Sequence, residues 1–584
     1  MIKAVRSECA SFNEVKFEKG FNIILAERTK ESTQRDSRNG LGKTTLIEII
    51  HFCLGASPRP NEGLRVKELE GWTFMLDLTL RGKDYTIYRN TKDFAKIKIE
   101  GNIENWPIRP TYDVEEKAYV MKIGDWTTLL GYLMFDLPVK TKEKEYIPTF
   151  RSLISYFVRR GVVGFHDPFK HYPQQKEWDI QINNAYLLGL NWEYASDFQI
   201  IKDKEKTLQE LKKAANQGLL VGFIGSLGEL EAERVRLEEE NKTLEEQLKN
   251  FKVHPQYYTI HEEADKLHKE IQEIKNKYEI NKRILTKYQE SINKEKDASI
   301  DKVKQIYNEA GLIFPDKLTK KLNDVLNFHR QVVVNRKEYL QSEIARIKRE
   351  IEQEMHLIET LSNKRAELLS ILKTHGALEE YSMLQNRASS LKQQLEEIKS
   401  RVKNLEAFEE GKSSLKIEKE ELLQRTLRDY HERKLQIDNA RRLFNKNSES
   451  LYSEPGTLSI DITDSGYKLK VDIKRARSQG IGYMKVFCYD LTLIQLKANF
   501  LDMPGFLIHD STIFDGVDER QIAKALELAS DESEKKGFQY ICALNSDIIP
   551  YNAFNEKFKS KFDSFIRIKF TDATENGGLL GFRF

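Results

Sequence analysis

Only two of the chain's thirteen prolines, Pro255 and Pro315, fall between Tyr194 and Asn447. A stretch so poor in helix breakers can run as long helices, and its apolar residues fall at coiled-coil spacing. From Gly228 it reads GELEAERVRLEEENKTLEEQLKNF, with Leu230, Leu237, Leu244 and Phe251 seven apart. Leu227, Arg234, Asn241 and Leu248 form the companion seam, an imperfect a/d heptad with charges outside it. Asn241 places a polar group in that seam, a device that fixes register at some cost in stability. Later, Ile344, Ile351, Ile358 and Leu372 share a seam beside Ile347, Leu361 and Leu368. Leu384, Leu391, Ile398 and Leu405 repeat the spacing beside Leu395 and Val402. Gly311, Pro315 and Asp316 in EAGLIFPDKL supply turn chemistry between the two halves. The pattern predicts an antiparallel intramolecular hairpin, with arms at 194–310 and 317–447 around an apex turn at 311–316. An unbroken arm would reach on the order of 180 Å, although Pro255 and Gly376 should interrupt it. Taken alone, the coil is equally compatible with a simple dimeric scaffold.

The rest of the composition narrows the class. The 94 Lys and Arg residues nearly cancel the 91 Asp and Glu residues, for a net charge of +3. That balance argues against a polycation binding nucleic acid by bulk charge, although interleaved Lys and Glu on a coil could hide a basic strip elsewhere. No apolar run is long enough for a membrane span, and MIKAVRSECASF shows no apolar signal region, so a cytoplasmic chain with no membrane contact is expected. The four cysteines, Cys9, Cys53, Cys488 and Cys542, form no CxxC pair and fit a reducing compartment. The five tryptophans all lie before Tyr194, where core packing is expected.

Chemistry concentrates at the two ends. Residues 37–45 read SRNGLGKTT. Gly42-Lys43-Thr44 has the form of a phosphate loop, with Ser37 standing where the first glycine of that pattern falls. Gly40 and Gly42 allow close backbone approach to phosphate, Lys43 supplies charge, Thr44 supplies a metal-directed hydroxyl, and Asn39 and Thr45 are further cofactor-binding candidates of the loop. The apolar run Phe21 to Leu25 before it predicts a strand, and TLIEIIHFC after it predicts a helix. FMLDLTLRGKDYTIYRN reads as a β-hairpin about Arg81-Gly82. RSLISYFVRR, Arg151 to Arg160, reads as a helix whose basic end faces solvent or, on the alternative, nucleotide or DNA.

Past the coil, GTLSIDITDSGYKLKVDIKR predicts a second hairpin about Asp464-Ser465-Gly466. Ser478, Gly480 and Gly482 open an apolar helix whose N-terminus is an anion site by its backbone. Phe506 to Ile508 predict a short buried strand followed by His509 and Asp510, and a strand-end aspartate is how phosphate-loop enzymes hold Mg²⁺. His509 either packs in the core or touches the nucleotide. FQYICALNSD predicts a further buried strand ending at Asn545.

The order of these motifs around a coil resembles the SMC/RecN class of ABC ATPases. The resemblance implies an α/β fold: a split ABC-type ATPase head, 1–193 and 448–584, with the coiled-coil hairpin inserted. SRNGLGKTT then resembles Walker A, SQGIG from Ser478 to Gly482 the signature, and FLIHD Walker B with Asp510 as its acid. Asp518 resembles the D-loop aspartate, and Asn545 stands where the switch histidine falls. The implied cofactors are ATP and Mg²⁺, the metal held by Thr44 and Asp510. ATP would lie between Lys43 of one head and Ser478 of a second chain, giving a homodimer through ATP-bound heads. Ser511 replaces the glutamate that orients the attacking water, so hydrolysis is expected to be slow. Asp515, Asp518 or Glu519 are the candidate substitutes.

FDGVDERQ, Ser511 and the lack of a CxxC hook resemble the ATPase subunit of bacterial ABC three-component, Lamassu-type, anti-phage systems. That narrower resemblance implies a sensor of double-stranded DNA or DNA ends working with a small middle subunit and an effector nuclease. Two alternatives stay open: a RecN-like DNA repair or chromosome-structure ATPase, and a non-hydrolysing coiled-coil scaffold with a nucleotide switch.

Overall fold

A computed structural model describes residues 1–27, 41–58, 63–139, 144–216, 226–251, 255–294, 315–372, 377–473, 479–498, 503–574 and 576–582. The expected apex residues 311–314 lie outside them. The architecture is mixed α/β and divides into two compact units, one of Met1–Glu205 with Leu415–Phe584 and one of Lys206–Ser414.

In chain order the first segment carries β1 (Ile2–Ser7), β2 (Val15–Lys16), β3 (Phe21–Glu27), α1 (Lys43–Cys53), β4 (Thr73–Leu80), β5 (Lys83–Asn90), β6 (Lys96–Gly101), β7 (Thr111–Asp113) and β8 (Ala118–Lys122). Helices α2 (Ile123–Phe135), α3 (Phe150–Ile154) and α4 (Glu177–Leu188) complete it. Among the described residues six helices follow: α5 (Trp192–Asn216), α6 (Leu227–Asn250), α7 (Pro255–Lys294), α8 (Pro315–Leu372), α9 (Ala377–Glu432) and α10 (Lys434–Tyr452). The last segment carries β9 (Thr457–Thr463), β10 (Gly466–Asp472), α11 (Gln479–Lys497), β11 (Phe506–His509), α12 (Glu519–Lys536), β12 (Gln539–Asn545), α13 (Glu556–Lys561) and β13 (Ile566–Thr571).

Among the described residues, two large sheets and the antiparallel β9–β10 hairpin, which turns between Thr463 and Gly466, organise the first unit. One is a seven-stranded antiparallel sheet of order β2-β1-β4-β5-β6-β8-β7. The β4–β5 hairpin turns on Arg81 and Gly82 at φ 46° and 77°, positive angles of the kind a two-residue hairpin turn needs to match strand twist. The other is a four-stranded sheet of order β11-β12-β3-β13, parallel throughout. Its strands come from both ends of the chain, and β3 and β12 are buried on both faces. Continuous apolar runs such as FNIILAE and QYICALN suit that position, whereas alternating sequences suit the half-exposed antiparallel sheet. Helix α11 lies against β11 with most of its residues buried, as a helix that is apolar all round requires.

The segment Arg151 to Arg160 departs from the expected helix. A capping box of Thr149 and Ser152 starts α3, which ends at Ile154. Val158 then pairs in parallel with Ile508, whose N–H donates to the Phe157 carbonyl at 2.8 Å. Tyr156, Phe157 and Val158 favour extended backbone, and the free edge of β11 gives their backbone partners that a local helix could not also provide. Arg159, read as a solvated or DNA-facing end, is instead buried in an ion pair with Asp490.

The second unit is helical. Leu230, Leu237 and Leu244 of α6 form one apolar cluster with Leu391, Leu395, Ile398 and Val402 of α9. Lys399 reaches Glu238 at 3.5 Å across that pair, and Asn281 of α7 donates to Glu354 of α8 at 3.0 Å. Rising numbers on the first strand of contacts meet falling numbers on the second, so the helices run antiparallel. Asn241 donates to Glu245 at 3.0 Å, while its Oδ1 is buried with no partner among the described residues. The unit begins inside α5 and ends inside α9. Phe198 and Ile201 pack on Leu422 in the first unit, and Lys204 pairs with Glu418 at 3.0 Å. Leu237→Ala should cost about 2–3 kcal/mol by removing seam contacts and leaving a cavity. A circular-dichroism melt of the full chain checks this, and an unmoved helical transition would contradict the seam. No helix among the described residues is long and apolar enough to cross a membrane.

Candidate functional site

The parallel sheet decides where its loops open. His509 stands opposite Cys542, and Asn545 opposite Ala26, so β11, β12 and β3 all end at one edge. Loops at the carboxyl edge of a parallel sheet gather side chains from segments distant in sequence. Helix α1 begins at that edge. Thr44 Oγ1 donates to Asp510 Oδ2 at 3.3 Å, and Lys43 Nζ donates to Asn545 Oδ1. Lys43 is buried and Thr44 exposed, so the hydroxyl faces open space beside the carboxylate.

Gly42 is the N-cap of α1, at φ 95°. No side chain among the described residues caps the helix and no acidic residue lies in its first turn, an arrangement that leaves backbone N–H groups and the positive helix end for an anion. A Cβ on Gly42 would lie 2.5 Å from the Leu579 Cβ, so glycine is required both for the left-handed backbone and for space. Leu579 belongs to a C-terminal strip that braces the loop. Its N–H donates to the Leu41 carbonyl at 3.0 Å and its carbonyl accepts from Asn13 N–H at 2.9 Å. The Asn13 amide also donates to the Gly578 carbonyl at 2.6 Å. The expectations from sequence did not include this strip; its signal was the apolar, glycine-rich GGLLGF at 577–582.

Asp510 is 5% exposed. It accepts from the Ser511 N–H at 2.7 Å and from the Ser511 hydroxyl at 3.3 Å. Ser511 is therefore turned back onto Asp510. Of the three substitute carboxylates, Asp518 caps α12 by accepting from Arg520 N–H and Glu519 is an exposed residue of that helix's first turn. Asp515, on the loop after Asp510, is held above the usual carboxylate range by desolvation and then by repulsion from Asp510.

Thr45 is half-buried on α1. Asn39, Gly40 and Ser478 lie outside the described residues. Gly480, in the first turn of α11, presses on the 516–517 backbone: a Cβ there would fall 2.3 Å from the Gly516 carbonyl oxygen and 3.1 Å from the Val517 Cα. Gly482 faces open space. Lys43, Thr44, Asp510, Ser511 and Asn545 thus gather at one corner, and Gly480 and Asp518 meet or flank the loop that follows it.

The donor set fits Mg²⁺. A hydroxyl and one carboxylate are the oxygen ligands such an ion takes when phosphates and waters complete its shell, and their 3.3 Å separation is near that of adjacent ligands around an ion with bonds of about 2.1 Å. Among the described residues no group of three or more His, Cys, Asp or Glu side chains could hold a metal ion.

Behind Asp510 lies a buried polar chain. Arg159 donates to Asp490 from Nε at 2.6 Å and from Nη2 at 2.7 Å. Asp490 also contacts His509 Nε2 at 3.2 Å, and His509 Nδ1 lies 2.9 Å from the Tyr540 hydroxyl. Burial lowers the His509 pKa despite Asp490, so the neutral tautomer with Nε2–H facing Asp490 and Nδ1 accepting from Tyr540 satisfies both contacts. His509 is a core residue and does not face the corner. Cys488 and Cys542 are buried as expected, with their thiol pKa values raised by desolvation.

Residues 447–584 match the family model described as "Uncharacterised protein conserved in bacteria (DUF2326)". The chain is 21% identical over 516 residues to "Uncharacterized protein YydD" of Bacillus subtilis (strain 168), covering 84% of each. Among solved structures it is similar to the Smc head domain with a coiled coil and joint derived from Pyrococcus yayanosii, at 13% identity and TM-score 0.35, over 99% of this chain and 96% of that one. It is likewise similar to the Smc head domain with an extended coiled coil bound to the C-terminal domain of ScpA derived from Pyrococcus furiosus, at 11% identity and TM-score 0.31, over 94% of this chain and 91% of that one.

Proposed function

We propose that this chain is an ATP-binding switch: an SMC-like head, 1–193 with 448–584, that closes on a second copy when nucleotide binds and moves the coil between 194 and 447. The observation that carries the reading is the meeting of Thr44 and Asp510 at 3.3 Å, from opposite ends of the chain, beside the Lys43–Asn545 pair. Lys43 and the α1 N-terminus bind phosphate, while Thr44 and Asp510 hold Mg²⁺, which when bound neutralises phosphate charge. Ser478, with Gly480 and Gly482, completes the site of the second copy. Hydrolysis is slow in this reading, because Ser511 offers a hydroxyl already turned to Asp510 in place of a water-orienting carboxylate.

Double-stranded DNA or DNA ends would meet the heads through phosphate contacts, without base readout. The motif resemblance of FDGVDERQ and Ser511 supports a cytoplasmic role in anti-phage defence, with a small middle subunit and an effector nuclease as partners. The same Ser511 geometry favours a second reading, a switch that binds and releases nucleotide without turnover. Sedimentation of the purified chain with ATP and Mg²⁺ should show a monomer-to-dimer shift, and turnover should rise with DNA ends in the first reading but not the second. Absence of nucleotide binding at millimolar ATP would end both readings.

A further inference from the structure

Helix α1 meets three neighbouring segments in turn. Lys43 reaches Asn545 at the end of β12, Thr44 reaches Asp510 at the end of β11, and Glu48 reaches Arg160 past the Val158 edge. The last contact is bidentate: Arg160 Nε donates to Glu48 Oε1 at 2.7 Å and Nη2 donates to Oε2. Glu48 follows Thr44 by one turn of α1, so the Arg160 that it holds stands near the metal corner. Val158 is bridged to Ile508, and Arg160 and Asp510 each follow two residues later in their own segments. His51 of α1 contacts the Val158 carbonyl at 2.9 Å, which pins that edge to the helix. Glu48 is one turn beyond Thr44, about 6 Å along the axis, within the swing of an arginine side chain.

Asn545, Asp510 and Arg160 are therefore the residues that α1 meets in turn from Lys43 to Glu48: an amide, an acid and a guanidinium. The side chains of Arg160 and Glu48 are 26% and 30% exposed, so the pair is partly hydrated and cheaply exchanged. A guanidinium fork fits a phosphate as well as a carboxylate, and a terminal phosphate carries more charge than Glu48.

We infer that Arg160 is a phosphate-directed residue of this site, which exchanges Glu48 for the terminal phosphate when ATP binds and so distinguishes ATP from ADP. The inference rests on the proposed nucleotide switch and adds a residue and a specificity to it. Calorimetric titration of the full chain with ATP or ADP, both with Mg²⁺, tests it. Arg160→Gln should weaken ATP about tenfold or more while ADP changes by less than about threefold. Glu48→Gln, which leaves Arg160 less firmly held, should tighten ATP by about threefold; impaired folding cannot imitate a gain. An unchanged ATP-to-ADP affinity ratio in Arg160→Gln, with wild-type protein binding ATP, overturns this inference alone. Equal weakening of both nucleotides, or weaker ATP binding in Glu48→Gln, also overturns it, whereas wild-type protein that binds neither nucleotide overturns it together with the proposed function.

Discussion

Arg159→Met should destabilise the globular unit by about 3–5 kcal/mol, the range expected when one partner of a buried ion pair is removed. Neither side chain of the Arg159–Asp490 pair is exposed at all. The guanidinium also donates to the carbonyls of Gly164 and Pro168, each at 2.7 Å, and to that of Lys170 at 2.5 Å. Burial is the largest influence and lowers its pKa, but attraction and hydrogen bonding from Asp490, with Tyr156 and Tyr489, leave the net shift upward, so the charge is kept. Methionine fills much of the volume but leaves the Asp490 carboxylate with the His509 N–H and no cation. The urea midpoint of the globular transition reports the effect. The double variant Arg159→Met/Asp490→Leu should recover part of the loss, since an apolar pair removes the stranded charge, while the carbonyls of the 164–170 loop stay unpaired. A single variant within about 1 kcal/mol of wild type would mean the pair is hydrated in solution.

Lys43→Ala should weaken ATP binding about a hundredfold or more, corresponding to about 3 kcal/mol for a charge-assisted contact in a sheltered site. Lys43 is 7% exposed and held against Asn545, so its ammonium is positioned before any phosphate arrives and little ordering is needed on binding. Titration with ATP and Mg²⁺ measures the loss, and a melting curve separates it from unfolding. Affinity within about threefold of wild type would place the phosphates elsewhere and sink the proposed function.

Much of the local structure was legible in the residues. The heptads of α6 and α9 name the apolar seam because a helix repeats its faces on a fixed period. Asp464-Ser465-Gly466 and Arg81-Gly82 name their turns because few residues tolerate the backbone there. Phe21 to Leu25 reads as a buried strand because only a strand covered on both faces is apolar at every position. The stretch Arg151 to Arg160 was misread for a related reason: its residues suit a helix locally, but the open edge beside β11 offers Val158 a partner that no window of sequence contains.

What the sequence by itself determined is the strands and helices that flank its motifs, the apolar seam of its coil, the order of the motifs and the residue types able to meet phosphate and Mg²⁺. Only the tertiary structure decided that β3 from one end of the chain lies beside β12 from the other, and hence that Thr44 meets Asp510. It also decided that Arg159 turns into the core while Arg160 turns to Glu48, and that Leu579 closes over Gly42. Local elements are encoded by periodicity and turn chemistry within a few residues. Pairings between distant segments have no period; they are selected by which arrangement buries the most apolar surface while giving every buried polar group a partner.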